Sequence, residues 1–211
     1  MSIEKISERI NWLGHDSIRI DAENGAKIYI DPYQIKANPE ADLILITHDH
    51  FDHCSSDDVA KIQGEKTVIV TEKESAKKLS GDVRVVSPGD ALTIKGINIE
   101  VVPSYNTNKD FHPEKNKWLG FIVEIDGVRI YHAGDSDFIP EMKKIKADIA
   151  LLPVSGTYVM TAREAVEAAL AINPELAIPM HYGSIVGDES DAETFKNGLN
   201  GKIDVKICKK S

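Results

Sequence analysis

Directly behind an unbroken run of leucine and β-branched residues, Leu43-Ile44-Leu45-Ile46-Thr47, the chain carries three histidines and two aspartates within six residues, His48-Asp49-His50-Phe51-Asp52-His53. A continuous run of this kind from Asp42 to Thr47 suits a strand buried on both faces, so the fold has to be layered with cover on either side. The polar hexapeptide then falls where the chain leaves the sheet and side chains converge above it. Three imidazoles and two carboxylates crowded there repel one another when charged and lack partners when buried. A divalent cation removes the conflict, and neutral imidazole with ionised carboxylate is the donor set of zinc or a related borderline metal, at about 2.0 to 2.2 Å. Adjacent Asp52 and His53 do not easily converge with His48 and His50 on one tetrahedral ion. Two metals sharing the loop, with further ligands from elsewhere, are therefore expected.

The rest of the pattern is strand-rich. Short strands are predicted over 10–13, 17–21 and 26–31, with turns at Gly14-His15 and at Glu23-Asn24-Gly25, where Asn and Gly tolerate positive φ. Helix 56–63, strand 67–70, helix 72–79 and strand 83–87 follow, then strands 94–102, 119–126 and 128–132, the last two joined at Asp126-Gly127. Strand 148–153 leads to a helix opened by Thr161 with Glu164 three residues on, a capping box. Ala162, Ala165, Val166, Ala169 and Leu170 keep the helical period along it. Strand 176–180, helix 191–199 and strand 202–207 close the chain. Turn-length connections in the first third require antiparallel pairing, so two sheets with helices outside fit better than one doubly wound parallel sheet. No repeat, linker or low-complexity stretch divides the 211 residues, and one domain over 1–211 is expected.

Other residues at predicted strand ends complete a candidate ligand set: Asp135 in Tyr131-His132-Ala133-Gly134-Asp135-Ser136 and His181 in Met180-His181-Tyr182-Gly183. With THDHFDH at 47–53, HAGDS at 132–136 and MHYG at 180–183, the chain resembles the metallo-β-lactamase superfamily over essentially its whole length. The Trp12-Leu13-Gly14-His15 opening and Ile30-Asp31-Pro32 resemble, more narrowly, the branch of small metal-dependent hydrolases that includes the ascorbate-6-phosphate lactonase-like proteins. The resemblance implies an α/β (α+β) fold, a four-layer αββα sandwich with a dinuclear centre at one edge of the sheets. Carried over by motif, His48 and His50 hold a first metal, Asp52 and His53 a second, Asp135 bridges them and His181 completes the second. The third ligand of the first metal is expected between the cluster and Asp135. His112 is the choice, in a polar loop braced by Phe111 and Pro113, with Asn106 and a water as the alternative.

These readings point to a dinuclear metal-dependent hydrolase whose cofactors are two divalent ions, zinc first with manganese or iron as alternatives. A metal-bound hydroxide would attack a small polar substrate such as a phosphoester or lactone, with Asp52 and Asp135 orienting it. His15 stands at a glycine after a strand, either as a catalytic group that stabilises an oxyanion or protonates a leaving group, or as a histidine satisfied in a tight turn. His132 reads as a hydrogen-bonded core histidine, Cys54 as a small buried support, and Asp31 either as a second-layer brace or as an Asp-Pro turn. The loop 153–160 could line the cleft or merely enter its helix.

Net charge separates the alternatives. Lys and Arg number 25 against 34 Asp and Glu, a balance of −9, and no basic block longer than a pair offsets it. Nucleic-acid and membrane partners are therefore not expected, and a small-molecule substrate is. A nuclease or phosphodiesterase of the same fold is the alternative enzyme, and a non-catalytic metal-binding module the alternative outside enzymes. The N-terminal segment mixes Glu4, Lys5, Glu8 and Arg9 among isoleucines, without the apolar stretch of an export signal, so a cytoplasmic protein with reduced cysteines is expected.

Overall fold

A computed structural model describes residues 2–36 and 39–211. The first sheet holds β1 (Ile10–Gly14), β2 (Ser17–Asp21), β3 (Lys27–Ile30), β4 (Ala41–Leu45), β5 (Gln63–Thr71) and β6 (Asp82–Val85), in sequential order. The second holds β7 (Ala91–Ile94), β8 (Ile97–Pro103), β9 (Leu119–Ile125), β10 (Val128–His132), β11 (Ile149–Pro153), β12 (Leu176–Met180) and β13 (Asp204–Val205), again sequential. Both sheets share one plan: an antiparallel meander, β1 to β3 or β7 to β10, followed by parallel strands. Helices α1 (Ile3–Ser7), α2 (Ser56–Ile62), α3 (Lys73–Ala76), α4 (Ala162–Ile172) and α5 (Glu189–Leu199) complete the chain.

The strand period of two explains the layers. Leu43 and Leu45 of β4, Ile28 and Ile30 of β3, and Val68 and Val70 of β5 turn inward onto Ile99, Val101, Phe121 and Val123 of the second sheet. Their alternates Ile44, Tyr29 and Ile69 turn outward and are covered by Val59 and Ile62 of α2. The doubly buried strand expected from the apolar run is thus present, flanked by parallel β3 and β5. On the far side α4 packs on β11 and α5 through Ala165, Ala168, Ala169 and Ile172. Its capping box forms as expected: the Thr161 hydroxyl accepts from Glu164 N at 3.2 Å and Thr161 N donates to the Glu164 carboxylate at 2.7 Å.

Three expectations need correction. The strand expected over 94–102 is a hairpin, because Lys95 and Gly96 both take left-handed backbone (φ 50° and 82°) and fold β7 onto β8. The last strand pairs only at Asp204 and Val205, an edge with one neighbour. The helix expected over 72–79 is one turn, with Glu72 as its N-cap. Cys54 and Cys208 are both buried and unpaired. Among the described residues no helix is long and apolar enough to cross a membrane.

Candidate metal centre

The hexapeptide leaves β4 under tight local control. Asp31, fully buried just past β3, accepts from Thr47 N at 2.8 Å, Thr47 Oγ1 at 2.6 Å and His53 Nδ1 at 2.8 Å. His53 N and Cys54 N both donate to the His50 carbonyl, at 3.1 and 2.8 Å, and wind the loop so that the three rings come together. Ring centroids of His48 and His53 are 4.0 Å apart, those of His48 and His50 4.6 Å. Ser55 then caps α2.

The second sheet supplies the remaining side chains from strand ends facing this loop. Asp135 follows β10 through Gly134, where φ is 60° and a Cβ would stand 2.8 Å from the Leu119 carbonyl oxygen, so only glycine fits. His181 follows β12 and is itself left-handed, as are His15 and Asp31. Three non-glycine residues in that region at one cluster store strain that the surrounding bonds must hold, a feature concentrated at functional sites.

His112 arrives by a folded loop. Asn106 N donates to the His112 carbonyl at 2.7 Å and His112 N to Asn106 Oδ1 at 2.9 Å, closing the segment on itself. His112 Nδ1 then faces Asn106 Oδ1 at 3.1 Å and the Tyr158 carbonyl at 3.2 Å. Asn106 thus bonds His112 through both its backbone and its side chain and holds the ring in place.

Among the described residues five groups of donor atoms have all their atoms within 4.8 Å of one another, and two of them gather six of the expected ligands: His48, His50 and His112 in one, and His53, Asp135 and His181, with Asp16, in the other. Asp135 lies between them. Its Oδ2 is 3.2 Å from His112 Nε2 and 3.1 Å from His181 Nε2, and its Oδ1 is 3.4 Å from His53 Nε2. Despite that proximity His53 Nε2, His112 Nε2 and Asp135 Oδ1 make no hydrogen bond and are shut off from solvent. Atoms that converge without bonding one another suit a cation among them. The opposite ring nitrogens of four of the histidines are held: His48 Nδ1 by Thr47 Oγ1 at 2.9 Å, His53 Nδ1 by Asp31, His112 Nδ1 by Asn106, and His181 Nδ1 by Ser155 Oγ at 2.8 Å, while His50 Nδ1 lies 3.0 Å from His48 Nε2. Such partners fix the tautomer and aim the free nitrogen at a metal.

Electrostatics follow the geometry. Burial, reinforced by neighbouring His53, drives the His48 pKa well below its ordinary value; burial and His112 lower that of His50. Both rings are thereby kept in the neutral form a metal requires. For Asp135 burial pulls upward, but His181 and His53 outweigh it and hold the carboxyl well below the usual range. For His53 burial pulls downward, and Asp135 and Asp31 more than reverse it.

His15 and Asp52 form a pair at the rim of this cluster. His15 Nε2 lies 3.1 Å from Asp52 Oδ2, and the ring, buried, stacks 4.1 Å from that of His181. Asp52 Oδ2 stands 3.9 Å from His53 Nε2, outside both donor groups. Burial raises the Asp52 carboxyl, yet the bond from His15 and the nearby His53 bring it below its ordinary value. His132 is the core histidine expected, with Nε2 at 3.0 Å from the Asp16 carbonyl and Nδ1 accepting from Gly134 N at 3.2 Å. Cys54 is a buried support whose thiol is pushed up to about 11 by burial.

Asp16 is the residue that sequence reading passed over. It is fully buried, both carboxylate oxygens lack partners, and burial together with Asp135 raises its pKa well above normal. Its only mark in the sequence is an aspartate in the tight turn between β1 and β2, next to His15. Ser155 and Tyr158 were visible only as parts of a helix-entry loop. Above the cluster opens a cavity of about 230 Å³ whose walls include His50, Asp52, His112, Asp135 and Tyr158.

Comparison with known proteins agrees with this architecture. A model of the β-lactamase superfamily domain matches residues 9–181. A UPF0173 metal-dependent hydrolase of Pyrococcus abyssi is 33% identical over 219 residues, covering 95% of this chain and 96% of that one. A protein of Parabacteroides distasonis, named as a metal-dependent hydrolase, superposes with TM-score 0.85 at 37% identity over 94% of this chain and 91% of that one. Igni18, a metallo hydrolase of Ignicoccus hospitalis, shares the fold at TM-score 0.79 and 23% identity, over 96% and 95% of the two chains. The chain belongs to the metallo-β-lactamase superfamily and, within it, to the UPF0173 metal-dependent hydrolases. It is a metal-dependent hydrolase with two sheets and outer helices, as its motifs imply.

Proposed function

We propose that the centre is dinuclear. His48, His50 and His112 would hold one divalent ion, His53, His181 and Asp16 a second, with Asp135 shared and Asp52 at the edge of the second. The observation that carries this reading is the set of buried, unbonded atoms, His53 Nε2, His112 Nε2 and Asp135 Oδ1, facing one another while the far side of each ring is already bound. Two cations there, zinc or alternatively manganese or iron, would supply Lewis acidity toward a carbonyl or phosphoryl oxygen and acidify a water.

The chain's own groups do the rest. Asp52 is ionised, lines the cavity and is steadied from behind by His15, so it is the group suited to take a proton from the attacking water and return it to the leaving oxygen. His15, whose pKa is lowered chiefly by burial, stays neutral near pH 7 and donates Nε2–H to Asp52. Its role is therefore positioning. The substrate class is a small polar ester, a phosphoester or lactone, resembling in that respect what the ascorbate-6-phosphate lactonase-like branch implies, and the surroundings are cytoplasmic.

Elemental analysis of metal-reconstituted protein tests the stoichiometry, with two ions per chain expected. A saturating value near one overturns the dinuclear reading. A screen of chromogenic phosphodiesters, phosphomonoesters and lactones tests the activity. Two bound metals with no turnover across that panel would favour a non-catalytic metal-binding module.

A further inference from the structure

Among the described residues five large apolar side chains stand exposed: Phe51, Val85, Phe111, Leu170 and Ile185. Three of the five, Phe51, Phe111 and Ile185, line the cavity above the donor cluster. They come from three separate loops, those between β4 and α2, β8 and β9, and β12 and α5. At 67%, 49% and 40% exposure they add little to the core, so a polar residue at any of the three would serve the fold as well. Aromatic partners steady two of them: Phe51 meets Tyr33 edge-on at 5.9 Å and Phe111 meets Tyr158 edge-on at 4.7 Å. Exposed apolar residues gathered at one mouth mark a binding surface.

The same walls carry no lysine or arginine. Lys109 and Lys78, on flanking segments, are occupied, by Asp137 at 2.6 Å and by Asp49 at 3.2 Å. Beyond the proposed metal ions, a phosphate group would find no cationic fork or ammonium in these walls to hold its charge. This mouth offers rings and an aliphatic chain instead.

We propose that the Phe51, Phe111 and Ile185 collar binds an aryl or short alkyl group attached to the scissile carbonyl, making the substrate a small uncharged lactone or ester with one apolar substituent. This rests on the hydrolase reading above and narrows it. In the reaction water adds to the carbonyl carbon, the bond from that carbon to the ester oxygen breaks, and the departing oxygen takes the proton, giving a carboxylic acid and an alcohol. A cavity of about 230 Å³ is below the roughly 300 to 1,000 Å³ of drug-sized pockets, so one ring or a chain of a few carbons is its measure.

Binding of acetohydroxamate and phenylacetohydroxamate to metal-reconstituted protein, followed by calorimetry, tests the collar apart from turnover. The phenyl compound should bind about tenfold tighter, the order of gain from covering one ring. Phe51→Ser combined with Phe111→Ser should bring the ratio near one at unchanged metal content, and Leu170→Ser, at an exposed position of α4, should leave it intact. A wild-type ratio near one, failure of both compounds to bind, or a ratio that survives the double substitution overturns the collar. Faster turnover of 4-nitrophenyl phosphate than of 4-nitrophenyl phenylacetate overturns the substrate class while leaving the hydrolase reading standing. A metal count near one, or no turnover of any ester, strikes that earlier reading instead.

Discussion

The two donor groups at the sandwich edge differ in charge. His48, His50 and His112 form an all-imidazole pocket, whereas Asp16 and Asp135 bring two buried carboxylates to His53 and His181. A neutral pocket tolerates vacancy, because desolvated neutral rings cost little. A pocket with two buried carboxyl groups does not, and the unpartnered oxygens of Asp16 are the sign of it. The anionic side should therefore gain more from a cation, bind it first and depend on it for stability, while the imidazole side should favour softer, nitrogen-seeking metals.

The largest test removes the link between them. Asp135→Ala should disable both positions and cut turnover by about a thousandfold or more, the scale of several kcal/mol of lost charge stabilisation, while the strands still fold cooperatively. Calorimetric titration and thermal melts read the two parts separately. If the variant melts without cooperativity even when metal is supplied, the cluster is part of the core and the comparison of two functional pockets collapses.

His112→Ala should separate the sides. Loss of one equivalent of metal, with the second retained near its original affinity, is expected by titration with competing chelators. Equal weakening of both ions would merge the two pockets into one. Asp16→Asn sharpens the charge argument: the metal-free variant should melt higher than wild type by on the order of 1 kcal/mol or more, yet gain less on adding metal. Its pH dependence has a definite sign. A carboxyl whose folded pKa is raised above 3.8 contributes stability at low pH that is lost as pH rises through the folded value. The advantage of Asp16→Asn over wild type should then widen from acid to neutral pH, and melts that keep a constant gap would contradict a raised carboxyl pKa for buried Asp16.

Ser155→Ala is the smallest of these effects. Removing the hydroxyl that orients His181 Nδ1 should weaken the anionic position by about tenfold, the low end for a partner of a ligating imidazole, and leave the other position alone. Metal affinity measured at each position decides it.

The legibility of the two pockets also differs. Four of the residues, His48, His50, Asp52 and His53, sit in one hexapeptide behind a buried strand, so their convergence is enforced by chain continuity and is visible in the sequence. Asp135 and His181 announce themselves at strand ends next to glycine. His112 is harder, because the six-residue return from Asn106 that delivers it depends on a side chain bonding its own backbone. Asp16 left almost no trace, since nothing local says that the turn after β1 points under Asp135.

The sequence by itself determined the layered core, through the period-two alternation of β4 and its neighbours, together with the metal-binding chemistry, through donor types packed at a strand end. Tertiary structure alone decided which donor atoms come together, that Asn106 bonds His112, that His15 stands behind Asp52, and that Phe51, Phe111 and Ile185 meet at one mouth. The physical reason is range. Periodicity and loop closure act over a few residues, whereas the pairing of His181 with Asp135, 46 positions apart, and of His15 with Asp52, 37 apart, needs each sheet assembled, and the approach of His53 to Asp135 at 3.4 Å exists only once the two sheets have packed face to face.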